Sequence, residues 1–320
     1  MKEPEQKDVL KSIERGLEFL KNQQNHNGSI CLNNDKTWDI WDTVHAVITL
    51  INFPSYKETT DRSVDFLLEN QRPDNAFHVS SIYKDNQYCM ETTPLCAYAL
   101  HATKHKVNDI IDFIIKKQNN DGYWESGIPE IYDKYQNFPS VTGQVIRTLL
   151  KLNHEIDDID KAIEWLIKKQ KIDGSWGSFF VYYDSPYYPL HVILEALYLN
   201  NMKDNVCFKN GIDFIINTQN KDGFWVSLDQ KERDKPSPEH RTSLALYSLL
   251  IAPSDDHLEQ INKGINWLES KQKQDGRWDG GYFVGWPGKK EDIYATSISI
   301  LALKKYEQST KENKVNNNGT

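Results

Sequence analysis

The chain has 320 residues, with 38 Lys and Arg against 46 Asp and Glu for a net charge of −8, and 12% of its residues are aromatic. At this length about three-quarters of the unfolded chain's surface can be buried, so a sizeable core forms without disulfides or a structural metal. The acidic balance argues against a nucleic-acid-binding surface or a polybasic membrane anchor, and no run of 18 apolar residues occurs that would span a bilayer.

In chain order the sequence falls into six copies of one two-helix pattern. The first amphipathic stretch carries Ile13, Leu17 and Leu20 at helical spacing, runs into KNQQNHNGSI (Lys21–Ile30), and is followed by the apolar stretch DTVHAVITLI. The second, DRSVDFLLENQ, runs through LENQRPDNAF to TTPLCAYALHA, and the third, NDIIDFIIKKQ, through KKQNNDGYW (ending at Trp124) to SVTGQVIRTLL. The fourth, DKAIEWLIKKQ, passes through KKQKIDGSW (Trp176) to LHVILEALYL, and the fifth, KNGIDFIINTQ, through NTQNKDGFW (Trp225) to RTSLALYSLLI. The sixth, NKGINWLESKQ, passes through SKQKQDGRW (Trp278) to ATSISILALKKY and a polar end, EQSTKENKVNNNGT.

The aligned glutamines Gln24, Gln71, Gln118, Gln170, Gln219 and Gln272 mark the period. The first helix of each pair has one charged face and predicts an outer, solvated helix; the second is apolar nearly all round and predicts burial on both sides. The Asp-Gly after the glutamine is a helix stop, with glycine supplying a positive φ. Twelve helices in six pairs predict an all-α fold, a closed α6/α6 barrel over residues 1–307, with a disordered polar tail over 308–320. An open superhelical binding scaffold is the alternative arrangement of the same pairs.

Four cysteines, Cys31, Cys89, Cys96 and Cys207, form no CxxC and point to neither a disulfide framework nor a zinc ribbon. With a charged, helical N-terminus lacking an apolar signal core, the expectation is a reduced, cytoplasmic protein.

The QxxDGxW copies, with Trp41-Asp42-Thr43 opening an inner helix, resemble the QW repeats of squalene–hopene and oxidosqualene cyclases, over about Ile13 to Tyr306. The resemblance implies the toroid also found in class II diterpene cyclase β domains and protein-prenyltransferase β subunits. It implies an isoprenoid substrate, and the repeat Trp and Gln residues read as structural fasteners.

In such a ring the loops ahead of the inner helices form one mouth of the central cavity. They are rich in aromatic residues, among them Tyr88, Tyr135, Phe180, Tyr183, Tyr187, Tyr282 and Trp286, which suit a cup for an isoprenoid chain and its cations or serve simply as loop plugs. Class II cyclases resembling this chain start by protonating an alkene or epoxide from the middle Asp of D-x-D-D-T. Here the nearest segment is Asp39-Ile40-Trp41-Asp42-Thr43, where Trp41 stands at the donor position, so a nonstandard acid is expected. Aligning inner-helix starts on their threonines places Glu91 two residues before Thr93, His240 two before Thr242, and Asp292 four before Thr296. Glu91 and Asp42 are the candidate acids, with Asp39 and His240 in support; Trp41, His191, Asp292 and Tyr294 join the substrate-binding set. Helix capping and a favourable dipole are the structural alternatives for these carboxylates.

The clusters Asp255-Asp256-His257-Leu258-Glu259 and Asp157-Asp158-Ile159-Asp160 precede outer helices and read as caps rather than magnesium sites. The final segment GWPGKKEDIYATS is similar to the prenyltransferase β subunit, but Ala295 stands where the zinc-binding His of that family falls and no DxC pair exists, so zinc is not expected. No cofactor is expected, magnesium entering only as a counter-ion to a diphosphate. Three functions remain open: a class II-like terpenoid cyclase, a non-catalytic isoprenoid-binding or lipid-binding toroid, and a carbohydrate-active toroid with two carboxylates facing across the cavity. The partner expected is a small apolar isoprenoid, with no nucleic acid and peripheral membrane contact left open, as is the oligomeric state.

Overall fold

A computed structural model describes residues 4–82, 87–128, 137–176, 185–226, 236–282 and 289–318. Among them the elements are helical, with twelve α-helices and no strand beyond isolated bridges. The outer helices are α1 (Gln6–Asn22), α3 (Lys57–Glu69), α5 (Asn108–Lys116), α7 (Ile159–Lys169), α9 (Val206–Thr218) and α11 (Leu258–Lys271). The inner helices are α2 (Asp39–Leu50), α4 (Thr92–Ala102), α6 (Pro139–Lys151), α8 (Tyr187–Leu199), α10 (Pro238–Leu249) and α12 (Asp292–Asn318). Helix α12 continues to Asn318, through the stretch expected to be a polar tail.

The inner helices pack in sequence order, and α12 packs against both α10 and α2, so the ring closes. Burial follows the two sequence patterns: α8 buries Tyr187 through Leu197 without interruption, whereas α7 buries only Ala162, Ile163, Trp165 and Leu166.

The repeat residues account for the fastening. Trp124, Trp176, Trp225 and Trp278 are fully buried, and each indole N–H donates at 2.7 Å to an outer-helix carbonyl: Ile114, Leu166, Ile215 and Leu268. Burying that large ring with its single donor satisfied couples the turn to the helix before it. The glutamine amides reach forward: Gln170 donates to Gly174 and Cys207 carbonyls, Gln219 to Gly223 and Gln260, and Gln272 to Gly276 and, at 2.8 Å, to Ser12 on α1. That last bond joins the sixth pair to the first. Gly276 sits at φ +95°, where a Cβ would stand 2.2 Å from the Arg15 carbonyl, so the closing turn requires glycine.

Inner-helix register is set by threonine. Thr43, Thr93, Thr142, Thr242 and Thr296 each accept, through Oγ1, the backbone N–H of the residue ending the preceding turn: Ile30, Phe77, Trp124, Trp225 and Trp278. Residues at a fixed offset from these threonines therefore stand at one level of the ring. Among the described residues no helix is long and apolar enough to cross a membrane.

Candidate active site

Two residues before the threonines stand Trp41, Glu91, His240 and Tyr294. In the structure Tyr294 is the hub of this level. It packs edge-on against Trp41 (5.7 Å between ring centroids), His240 (4.7 Å) and Tyr188 (6.3 Å), and stacks on His45 at 3.9 Å. Trp41 also meets His45 at 4.4 Å and Trp38 at 6.3 Å. The aromatic layer is thus built from inner-helix residues, and Trp38, Trp41, Tyr188 and Tyr294 are all buried. Glu91, at the N-cap of α4, is buried close enough for its charge to bear on Tyr294 and Cys89.

Above this layer lies a cluster of carboxyl groups with one amine. Lys289 Nζ and Asp42 Oδ2 are 2.5 Å apart, and both side chains are almost wholly buried. Lys289 is 3% exposed. Burial pushes Asp42 up to about 6, against the pull of Lys289. Glu291 is 1% exposed, its Oε1 has no hydrogen-bond partner among the described residues, and Trp41, Lys289 and Asp42 are its neighbours. Burial raises it to about 8, Lys289 opposing and Asp42 reinforcing the shift. Burial thus favours the acid form of both carboxyls, more for Glu291 beside the Trp41 ring than for Asp42, whose ionised form the Lys289 ammonium holds.

The remaining sequence candidates divide. Asp39 accepts from the Ser81 backbone N–H (2.8 Å) and hydroxyl (2.5 Å), and Asp292 accepts from the Gly280 N–H (2.8 Å) with Arg277 Nε at 3.3 Å. Both clip a loop onto a helix start. His240 is pushed down to about 3 by burial and by Arg241, so it is neutral and part of the aromatic layer rather than a charged relay.

Several placements correct the expectation. Tyr187 packs on Phe214 of α9, between the two rings of helices, and its neighbour Tyr188 takes the axial place. Tyr88 lies against Phe113 of α5, under Lys117. Tyr282 is 38% exposed and sits under Lys290, outside the layer. His191 faces the opposite end of the ring, bonded to Arg147. Tyr135, Phe180, Tyr183 and Trp286 lie outside the described residues.

Sequence reasoning missed Glu291 and His45. Its signal was present: two adjacent carboxylates open α12, and only Asp292 lies at the offset that makes the loop clip. Among the described residues no group of three His, Cys, Asp or Glu side chains is arranged to hold a metal. Of the outer acidic clusters, Asp158 pairs with Lys161 at 3.1 Å and Glu259 with Lys263 at 2.6 Å, both within or beside their own helices.

The squalene-hopene cyclase C-terminal domain family matches the chain three times in overlapping registers, over residues 30–176, 89–229 and 136–308. The chain belongs to this family. Staggered matches of this kind are what an internal repeat produces, one part of the family pattern falling on successive helix pairs. The chain is 29% identical over 299 residues to squalene–hopene cyclase from Alicyclobacillus acidocaldarius, covering 82% of this chain and 44% of that one. It is 30% identical over 132 residues to squalene–hopene cyclase from Zymomonas mobilis, covering 39% and 20% respectively. The chain spans less than half the length of these relatives. In fold it is similar to type II terpene cyclase MstE from Scytonema, with a TM-score of 0.77 at 16% identity, covering 95% of this chain and 99% of that one. A variant of MstE has been solved with its substrate, geranylgeranyl dihydroxybenzoate, and gives the same TM-score.

Proposed function

We propose that the chain is a class II-like terpenoid cyclase that cyclises an isoprenoid, a prenyl diphosphate or polyprene, by protonation, with Glu291 as the acid. The observation that carries this reading is a carboxyl group, Glu291, buried beside Trp41 of the aromatic layer, its acid form favoured by that burial, in a chain whose family donor position is occupied by Trp41. In the first step the Glu291 O–H bond breaks and its proton adds to one alkene carbon, whose π pair forms the new C–H bond. The substrate becomes a carbocation and Glu291 a carboxylate. Lys289, shared between Asp42 and that carboxylate, offsets part of the charge left behind. The faces of Trp41, Tyr188 and Tyr294 stabilise the cation as further alkenes close on it. Loss of a proton from the cyclised cation to a base ends the sequence and restores charge balance. Asp42 is reassigned in this reading from donor to counter-ion of Lys289, and Glu91 is the second carboxyl at the level of the layer.

Family membership supports a cyclase, and the substrate of MstE extends the panel to be tried. Sugar hydrolysis is disfavoured because Asp39, Asp42 and Asp292 are each engaged by protein groups. A non-catalytic isoprenoid-binding role has one observation in its favour, the indole that fills the family's donor position.

The test is incubation with farnesyl and geranylgeranyl diphosphates, squalene and geranylgeranyl dihydroxybenzoate in excess chelator, followed by mass-spectrometric analysis of products. A cyclic product, reduced by about 10²-fold or more in Glu291→Gln, is expected. Full turnover in Glu291→Gln with loss in Glu91→Gln moves the acid to Glu91. Tight binding without product in the wild-type chain replaces the enzyme by the binder.

A further inference from the structure

At the opposite end of the ring, below Tyr294, the axis holds a void of about 40 Å³, lined by His45, Gln144, Arg147, His191, Tyr294 and Ser297 with an apolar rim. We propose that this void is a binding site for an oxyanion of phosphate or carboxylate type, separate from the carboxyl cluster at the mouth.

Four buried polar atoms of its lining have no hydrogen-bond partner among the described residues: His45 Nε2, His191 Nδ1, Tyr294 Oη and Ser297 Oγ. Unpaired polar atoms are costly to bury, and four around one space call for a polar occupant. The hydrogen-bond inventory says which kind. Arg147 Nη1 lies 2.8 Å from His191 Nε2, and a guanidinium only donates, so Nε2 accepts and the unpartnered Nδ1 carries the proton. The tyrosine and serine hydroxyls also donate. The strong acceptors are already used: Gln144 Oε1 takes Arg147 Nη2 at 2.5 Å, and Glu195 takes Arg147 (3.1 Å), Lys151 (2.8 Å) and the Tyr247 hydroxyl (2.9 Å).

Charge points the same way. Arg147 and Lys151 face a single carboxylate, Glu195, and Lys305 stands 4.9 Å over the Tyr247 ring. Burial, followed by the nearby guanidinium, holds His45 and His191 well below their ordinary range, so both are neutral. Among the described residues, Arg147 and Lys151 thus set two cationic side chains against the one carboxylate of Glu195, beside a pocket lined with donors. One water fills ~10–15 Å³ of such space, so the void takes a group of several atoms. Ile48, Leu95, Ile298 and Leu301 on the rim are placed to meet an apolar tail if the oxyanion is the head of an amphiphile.

The experiment follows the histidine ring resonances of the purified full-length chain by NMR during titration with inorganic phosphate and, separately, dodecyl phosphate. Saturable shifts of His45 and His191, with exposed His26 unmoved, are expected. Tighter binding of dodecyl phosphate assigns the site to an amphiphile headgroup, and equal binding to the free ion. Because Arg147 holds the cluster together, the variant to use is Lys151→Met at the rim, in which phosphate affinity falls about tenfold. No histidine shift with either probe means that the void holds water alone and overturns the proposal. Shifts of undiminished affinity in Lys151→Met overturn it too, by placing the anion elsewhere. Neither readout uses turnover, so failure here leaves the cyclase reading standing.

Discussion

Lys289 and Asp42 lie 247 positions apart in the chain, and their charged atoms meet at 2.5 Å with both side chains buried. The pair bridges the loop before the last inner helix to the first turn of the first inner helix, so it is both an electrostatic element of the site and part of the ring's closure. Such a pair stabilises little relative to an apolar replacement, yet breaking one side leaves a buried charge uncompensated. Lys289→Met is therefore expected to cost about 3–5 kcal/mol, and adding Asp42→Asn to recover most of it. Urea unfolding of the two variants measures both numbers; equal stability of the single and double variants contradicts the buried pair.

Glu291 gives a pH dependence of definite sign. Its folded value of about 8 lies above the ordinary 4.5, so between these values the folded chain holds a proton that the unfolded chain has released. Stability from this group is complete below about pH 4.5 and declines as the pH rises toward 8. Glu291→Gln removes the decline, and unfolding curves from pH 5 to 9 show it as a flatter profile than the wild type. If Glu291 is the acid proposed above, cyclic product formation is expected to fall above about pH 8 on the same ionisation. Glu195 acts oppositely. Burial resists its ionisation, but Lys151 and Arg147 outweigh burial and hold it well below the usual range, so its contribution disappears on strong acidification.

Ring closure is tested at Gln272 and Gly276. Gln272→Ala removes the bond to Ser12 and the bond within its own turn, for an expected loss of about 1–3 kcal/mol. Gly276→Ala is worse than its size suggests, because the turn needs φ +95° and the Arg15 carbonyl occupies the Cβ position; more than ~1 kcal/mol is expected. Thermal unfolding in a common buffer compares them with Ile172→Ala on the exposed surface, which is expected to be neutral.

Tyr294 separates ring from hydroxyl. Its hydroxyl is buried without a partner, so in phosphate-free buffer Tyr294→Phe is neutral or stabilising by up to ~1 kcal/mol. Tyr294→Ala removes the hub of the aromatic layer and costs about 3–5 kcal/mol. A large loss in Tyr294→Phe means the hydroxyl has a partner.

The ring was legible because its information repeats: glutamine, Asp-Gly and tryptophan recur at a fixed offset, and each copy corrects the reading of the others. The site was less so, because it depends on features that occur once. Aligning inner helices on threonine set Trp41, Glu91 and His240 at one offset, and the structure adds Tyr294, which meets Trp41 and His240. The same alignment favoured Asp292, which shares Asp39's loop-clipping offset, over Glu291, which lies one residue outside the helix. Tyr187 and Tyr188 differ by the ~100° that separates successive helical positions, enough to turn one toward α9 and the other toward the axis. Arg147 and Glu195 had a signal that went unread: each is an ionisable residue in the middle of a helix otherwise buried on all sides, a position that calls for a partner across the ring.

The bond from Gln272 to Ser12 spans 260 residues. An open solenoid gains stability pair by pair as its repeats are added. Here α1 has no packed neighbour on one side until the final pair is in place. The apolar face of α1 therefore stays uncovered during folding until the sixth pair docks, so the first and last pairs of the ring are secured in one step.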